Sequence, residues 1–141
     1  MPTARFDLPA RPDEVAPARH RVLHQLHAWE PEFDEETAAD VELVVSELLT
    51  NAVVHAGGTR IGVSLSLSER AGRRRLRVEV SDRGSAPLAR RPPASPDQEG
   101  GRGLALVEAL SSRCGSTRNG HGKDCWAELA LPGCPGRWPR R

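Results

Sequence analysis

The sequence predicts an α/β fold, a two-layer sandwich in which a mostly antiparallel sheet carries helices on one face. Three observations lead there. Two stretches, Val15 to Trp29 and Asp34 to about His55, repeat apolar residues at helical spacing. Two others, Arg60 to Ser68 and Arg75 to Ser81, alternate apolar and polar residues at period two. The resulting order, β-α-α-β-β-loop-α-β-β, folds as one sheet with its helices gathered on one side.

Taken in order, Arg5-Phe6-Asp7-Leu8 alternates and reads as a short edge strand stopped by Pro9. The first helix places Val15, Ala18, Val22, Leu26 and Trp29 on one stripe, and Pro17 fits because it falls in the first turn. Pro31 to Asp34 is a linker. Asp34 can cap the second helix, whose first turn carries Glu35 and Glu36 where the helix dipole favours acid, and Gly57-Gly58 ends it. Ile61, Val63, Leu65 and Leu67 then share one strand face, residues 69–72 turn, and Leu76, Val78 and Val80 point inward on the next strand. The long Gly84 to Gly100 stretch, rich in Pro, Ala, Ser and Arg, is a functional loop or lid. Leu104 to Leu110 is a short helix entered through Gly100-Gly-Arg-Gly103, and Ser112 to Arg118 and Cys125 to Leu131 are closing strands.

A chain of 141 residues is expected to be one domain, with a core from about residue 5 to 131 and a frayed tail over 132–141. Lys and Arg number 20 against 19 Asp and Glu, so bulk charge gives no case for nucleic acid or an anionic membrane. Local basic excess, at Arg73-Arg74-Arg75 and over 137–141, reads as solvated ends. No apolar run approaches the roughly 20 residues of a membrane span and the start lacks a signal-peptide core, so the expected location is cytoplasmic. Cys114, Cys125 and Cys134 are odd in number and show no C-x-x-C spacing, which reads as three reduced thiols.

Residues 44 to 56, VVSELLTNAVVHA, raise a question about this plain picture. Glu47, Asn51 and His55 stand four residues apart, so Asn51 lies about 40° and His55 about 80° around the helix from Glu47. Val54 and Leu43 flank this polar row on one side, and Val44 and Leu48 on the other. A carboxylate, a carboxamide and an imidazole thus sit within the apolar stripe. Two further features stand out: Ser81-Asp82-Arg83-Gly84 at a strand end, and Gly100-Gly-Arg-Gly-Leu104 at a helix start. Singly, each has an ordinary reading as a satisfied core group, a turn and a helix cap.

Together they form a pattern. The chain resembles the GHKL superfamily of ATP-binding domains, which includes gyrase, Hsp90, histidine kinases and MutL, and is most similar to its anti-sigma-factor serine/threonine kinases. Glu47-Leu-Leu-Thr-Asn51-Ala matches the N box, Asp82-Arg-Gly84 the first glycine box, and Gly101-Arg102-Gly103-Leu104 the second. The resemblance runs from about residue 5 to 131. It implies ATP and Mg²⁺ as cofactors, with Asn51 as the Mg²⁺ ligand and Glu47 as the catalytic base. It also implies that Asp82 accepts a hydrogen bond from the adenine amino group, and that Gly84 lets the backbone pass close to the base. Gly101, Gly103 and Leu104 would meet the phosphate side, Arg102 would be a supporting cation, and residues 85–99 would be the ATP lid. The chemistry agrees. Mg²⁺ prefers oxygen ligands, an acceptor-only carboxylate separates an amine from a carbonyl, and a carboxylate one turn from the metal can take a hydroxyl proton.

His55 either faces the phosphates or caps the helix C-terminus, and the second reading is preferred. Asp124 stands where relatives often carry threonine near the adenine aspartate; either it turns outward or nucleotide affinity is reduced. The function this resemblance implies is a protein serine/threonine kinase that sequesters a sigma factor and phosphorylates an anti-sigma-factor antagonist, as a homodimer. The alternative is a nucleotide-gated protein-binding module without phosphoryl transfer.

Overall fold

The computed structural model describes residues 2–31, 33–55, 60–82, 99–118 and 122–132, with backbone alone for 99–104 and 118. Its elements are β1 (Thr3–Pro9), a 3-10 turn (Pro12–Glu14), α1 (Val15–Trp29), α2 (Glu35–His55), β2 (Arg60–Arg70), β3 (Arg73–Asp82), α3 (Glu99–Leu110), β4 (Arg113–Arg118) and β5 (Lys123–Leu131). The strands form one sheet of order β1-β2-β3-β5-β4, antiparallel at every pairing. This is the expected α/β sandwich.

Strand alternation divides the sheet's two faces. Ile61, Val63, Leu65 and Leu67 of β2, Leu76, Val78 and Val80 of β3, and Cys125, Ala127, Leu129 and Leu131 of β5 are buried beneath the helices. Ala18, Val22 and Leu26 of α1, Val41, Val44, Val45, Leu48 and Leu49 of α2, and Val107 of α3 complete that core. The other face holds the alternate residues, among them Ser64, Ser66, Arg75, Arg77 and Glu128, which remain partly exposed. There Arg77 stacks on Trp126 with its guanidinium carbon 4.3 Å from the ring centre, and also donates to Glu128 at 3.1 Å. Trp126 lies across Gly115, where a Cβ would come within 2.9 Å of the indole.

The second helix starts as its capping residue requires. The Thr37 N–H donates to Asp34 Oδ1 at 2.8 Å, supplying an acceptor that a first-turn N–H otherwise lacks. α1 packs against α2 and is tied to it by Arg19, whose Nε lies 3.3 Å from Glu42 Oε2.

Two sequence expectations change. The Arg73-Arg74-Arg75 run is not simply a solvated end. Arg74 is 4% exposed, pairs with Glu30 at the end of α1, and donates to the Pro132 carbonyl at 3.0 Å. The alternation that turns Leu76 inward turns Arg74 inward as well. The polar row of α2 also lies at the edge of the buried stripe rather than within it. Leu43 and Val54, expected to flank it, are 41% and 51% exposed. Cys114 and Cys125 carry reduced thiols, and burial pushes the Cys114 thiol up, with Glu108 adding to the shift; Cys134 lies outside the described residues.

Candidate functional site

Topology gathers those expected site residues that are described at one end of the sheet. Glu30 fixes the end of α1 to Arg74 at the start of β3, and α2 begins a short linker later. A 21-residue helix runs about 31 Å and a ten-residue strand about 33 Å, so α2 carries Asn51 toward the far end of β3. The chain then enters β2, where Ile61 pairs with Asp82. The last turns of α2 and the last residue of β3 thus belong to the same end.

The third helix comes to that end from the other side. α3 packs along α2 and touches β4. It turns into β4 through Ser111 and Ser112, whose N–H groups bond the Val107 and Glu128 carbonyls. β4 begins opposite Glu128 and finishes opposite Lys123. A chain reversing so tightly arrives from the Lys123 side, so α3 starts toward the Asp82 end. Its helix begins at Glu99, earlier than expected, and takes in Gly100, Gly101, Arg102, Gly103 and Leu104. The first N–H groups of any helix have no intrahelical acceptor and favour anions.

Within this frame, Asp82 is 7% exposed on the inward face of β3. Glu47 and Asn51 are half-buried on α2, on the flank away from the Ser46 and Glu42 contacts with α1. Asn51 Oδ1 is buried and finds no hydrogen-bond partner among the described residues. A buried carbonyl oxygen left so is costly, and such exceptions call for a ligand, ion or water. No cluster of three His, Cys, Asp or Glu suited to a metal occurs among the described residues. Mg²⁺ does not need one, because it commonly takes one or two protein oxygens and completes its shell with phosphates and water. Asn51 Oδ1 is therefore the kind of oxygen that would suit Mg²⁺ as a protein ligand.

Other expectations sort themselves by strand parity. Asp124 pairs with Ser81 in the β3–β5 register, one residue out of phase with buried Cys125, and lies on the outer face. Of the two alternatives for Asp124, the outward one is found. His55 is half-buried in the last turn of α2, where a basic side chain favours the helix dipole. Gly84 and residues 85–98 of the expected lid lie outside the described residues. One residue at this end was missed: Gly122, buried just before β5 and in contact with Asp82. A glycine opening the strand beside β3 was the available signal.

Comparison with known proteins bears on family and fold. The profile of the histidine kinase-like ATPase domain matches residues 8–128. Among solved structures, the RsbU and RsbW domains of Rv1364c from Mycobacterium tuberculosis superpose with a TM-score of 0.61 at 26% identity, over 94% of this chain and 33% of that one. The histidine kinase domain of the Erythrobacter litoralis EL346 blue-light activated histidine kinase gives a TM-score of 0.46 at 35% identity, over 67% of this chain and 44% of that one. This chain therefore spans less than half the length of either. No match was found among curated proteins.

Proposed function

The chain belongs to the histidine kinase-like ATPase domain family, and from that premise we propose that it is an ATP-binding anti-sigma regulator with protein serine/threonine kinase activity. The observation that carries the nucleotide half of this reading is the buried Oδ1 of Asn51 at the Asp82 end of the sheet, which has no partner among the described residues. The regulatory half is supported by the motif resemblance and by the likeness to a structure containing an RsbW domain.

On this reading Asp82 accepts a hydrogen bond from the adenine amino group, and its burial strengthens that bond by excluding water. Asn51 supplies a ligand oxygen to Mg²⁺, which when bound neutralises phosphate charge. The backbone of Gly101 and Gly103 meets the phosphates with Arg102 in support, while Leu104 completes that motif and Gly84 admits the base. Glu47, one turn before Asn51, takes the proton from an antagonist's Ser or Thr hydroxyl as its oxygen bonds to the γ-phosphorus and the bond to ADP breaks. The sigma factor is held by the same domain. The outer edge of β1, the end strand of the sheet among the described residues, is with α1 the surface proposed to pair two copies. No helix among the described residues is long and apolar enough to cross a membrane.

The test is calorimetry with ATP and ADP, with and without Mg²⁺, followed by affinity capture of partners in each nucleotide and mapping of their phosphosites. We expect Mg²⁺-dependent ATP binding and transfer to a captured Ser or Thr. Absence of binding at millimolar nucleotide would end this reading. Partner capture that depends on ATP but yields no phosphosite would assign the chain to the nucleotide-gated module instead.

A further inference from the structure

Two glycines of this sheet are held by close contact, and they differ in what a side chain would strike. At Gly115 a Cβ would meet the indole of Trp126 at 2.9 Å, on the outer face. The obstacle is the far rim of a side chain, which can shift by a small turn of its torsions while the backbone stays in place. At Gly122 a Cβ would stand 2.4 Å from the carbonyl oxygen of Asp82 and 3.3 Å from its Cβ. That obstacle is backbone, and Asp82 cannot simply retreat, because β2 holds it from the other side through the Ile61 pairing. Either the β3–β5 contact opens at its end or the Asp82 peptide rotates.

We propose that Gly122 is a positioning residue for base recognition: its missing side chain sets where the Asp82 carboxylate stands and hence how strongly adenine is preferred. The inference rests on the reading of Asp82 as the adenine acceptor. Real Cβ atoms essentially never come within 3.0 Å of such an atom, so relief of the clash needs movement of roughly half an ångström or more, about the tolerance within which a recognition group must be held. The Cβ contact also presses on the root of the carboxylate itself. A hydrogen bond to a base edge weakens steeply with both distance and angle. Contacts to the phosphates come from α2 and α3, and do not pass through this pair.

The proposal separates a positioning role from mere support of the fold. Inosine triphosphate carries a carbonyl where ATP carries the amine, so an acceptor-only Asp82 distinguishes the two. Wild type, Gly122→Ala and Gly115→Ala are compared by calorimetry with both nucleotides and by thermal unfolding. We expect Gly122→Ala to lose about tenfold or more in ATP affinity with little change for inosine triphosphate, collapsing the preference; losing one charge-assisted hydrogen bond has that size. Gly115→Ala should keep the wild-type preference even if it melts lower. A Gly122→Ala protein that retains the preference, or loses both nucleotides equally, overturns the proposal.

If Gly122→Ala does not fold, the wild type decides by nuclear magnetic resonance. The Gly122 amide signal should move on saturation with ATP and much less with inosine triphosphate, while Gly115 stays in place. A Gly122 signal that responds to neither nucleotide, or equally to both, overturns the proposal. Failure of the underlying reading has its own signature, a wild type that binds both nucleotides alike or neither, and it removes the inference too.

Discussion

The two ends of β3 pose the same physical problem and meet it differently. Arg74 and Asp82 are eight residues apart, so both face inward, and both are buried, at 4% and 7% exposure. At the Arg74 end the charge is closed within the chain by the Glu30 carboxylate and the Pro132 carbonyl, which tie α1, β3 and the end of β5 together. At the Asp82 end the neighbouring helix instead carries a buried carboxamide oxygen without a partner among the described residues. Burial of a charge does not mark a functional site. What sets the two ends apart is that the Arg74 charge is paired within the chain, whereas at the Asp82 end Asn51 Oδ1 finds no partner among the described residues.

Breaking the closed end should cost the fold. Arg74→Ala or Glu30→Ala leaves an uncompensated buried charge, which typically destabilises by about 3–5 kcal/mol. Urea unfolding should show this as a lowered midpoint, while the folded fraction keeps wild-type ATP affinity. A double replacement by leucines should recover much of the loss, because a well-packed apolar pair of similar volume often equals a buried ion pair.

Changes at the open end should cost function. For Glu47→Ala we expect phosphoryl transfer to fall by about 10²–10⁴-fold, the usual worth of a general base, with ATP affinity nearly unchanged. Asn51→Ala should lose the Mg²⁺-dependent part of binding as well. Radiolabel transfer to a captured antagonist, beside titrations with and without Mg²⁺, separates the two. Equal transfer by wild type and Glu47→Ala would take Glu47 out of the mechanism. Asp82→Ala should lose ATP affinity by about 1.5–3 kcal/mol, the value of a hydrogen bond to a charged group, while unfolding stays cooperative.

The contrast between the ends was only half legible in the sequence. The open end was recognisable as a proposed site because Glu47, Asn51, Asp82 and the glycines are spaced as motifs, and motifs survive in one dimension. The closed end was not, because Arg74 sits between two other arginines, and three in a row look solvated. Parity carried the missing information: a strand that buries 76, 78 and 80 also buries 74. The same rule turns Asp124 outward and Cys125 inward. Helix limits for α1 and α2 were readable from apolar spacing and from Asp34. The start of α3 was not, since its glycines argue against a helix and packing on α2 overrides that preference. Gly122 was legible only as a glycine opening a strand, because its constraint is a contact across strands.

A milder difference concerns acid. Asp34 caps α2 near the closed end, and its carboxyl is held below the usual range, first by the Thr37 side-chain hydrogen bond and then by the Thr37 backbone N–H. A depressed folded value means the stabilisation is complete above the ordinary carboxylate range and fades as pH falls through the folded value. Asp34→Asn keeps a capping acceptor but cannot titrate. The stability of wild type relative to Asp34→Asn should therefore be flat near neutrality and decline below about pH 4. A difference that stays constant down to pH 2 would exclude Asp34 from the acid response.

The smallest effect belongs to the hairpin at the closed end. β2 and β3 join through Ala71 and Gly72, flanked by the Arg70–Arg73 pair. Both have positive φ, 54° and 76°, as a two-residue turn of the I′ kind requires. Gly72 adopts this without cost and a Cβ there would meet nothing, but Ala71 carries a Cβ in the left-handed region. Asparagine tolerates that region through its local hydrogen bonds, and Asn-Gly is the preferred pair for such a turn. Ala71→Asn should therefore stabilise by about 0.5–1 kcal/mol, well below the left-handed penalty because asparagine relieves it only in part. The urea midpoint should rise with an unchanged slope, since the surface exposed on unfolding is the same. Because the turn lies at the closed end, ATP affinity should not move. A stabilised Ala71→Asn protein with altered nucleotide affinity would show that the two ends of β3 are coupled, and the division between a structural end and a functional one would fail.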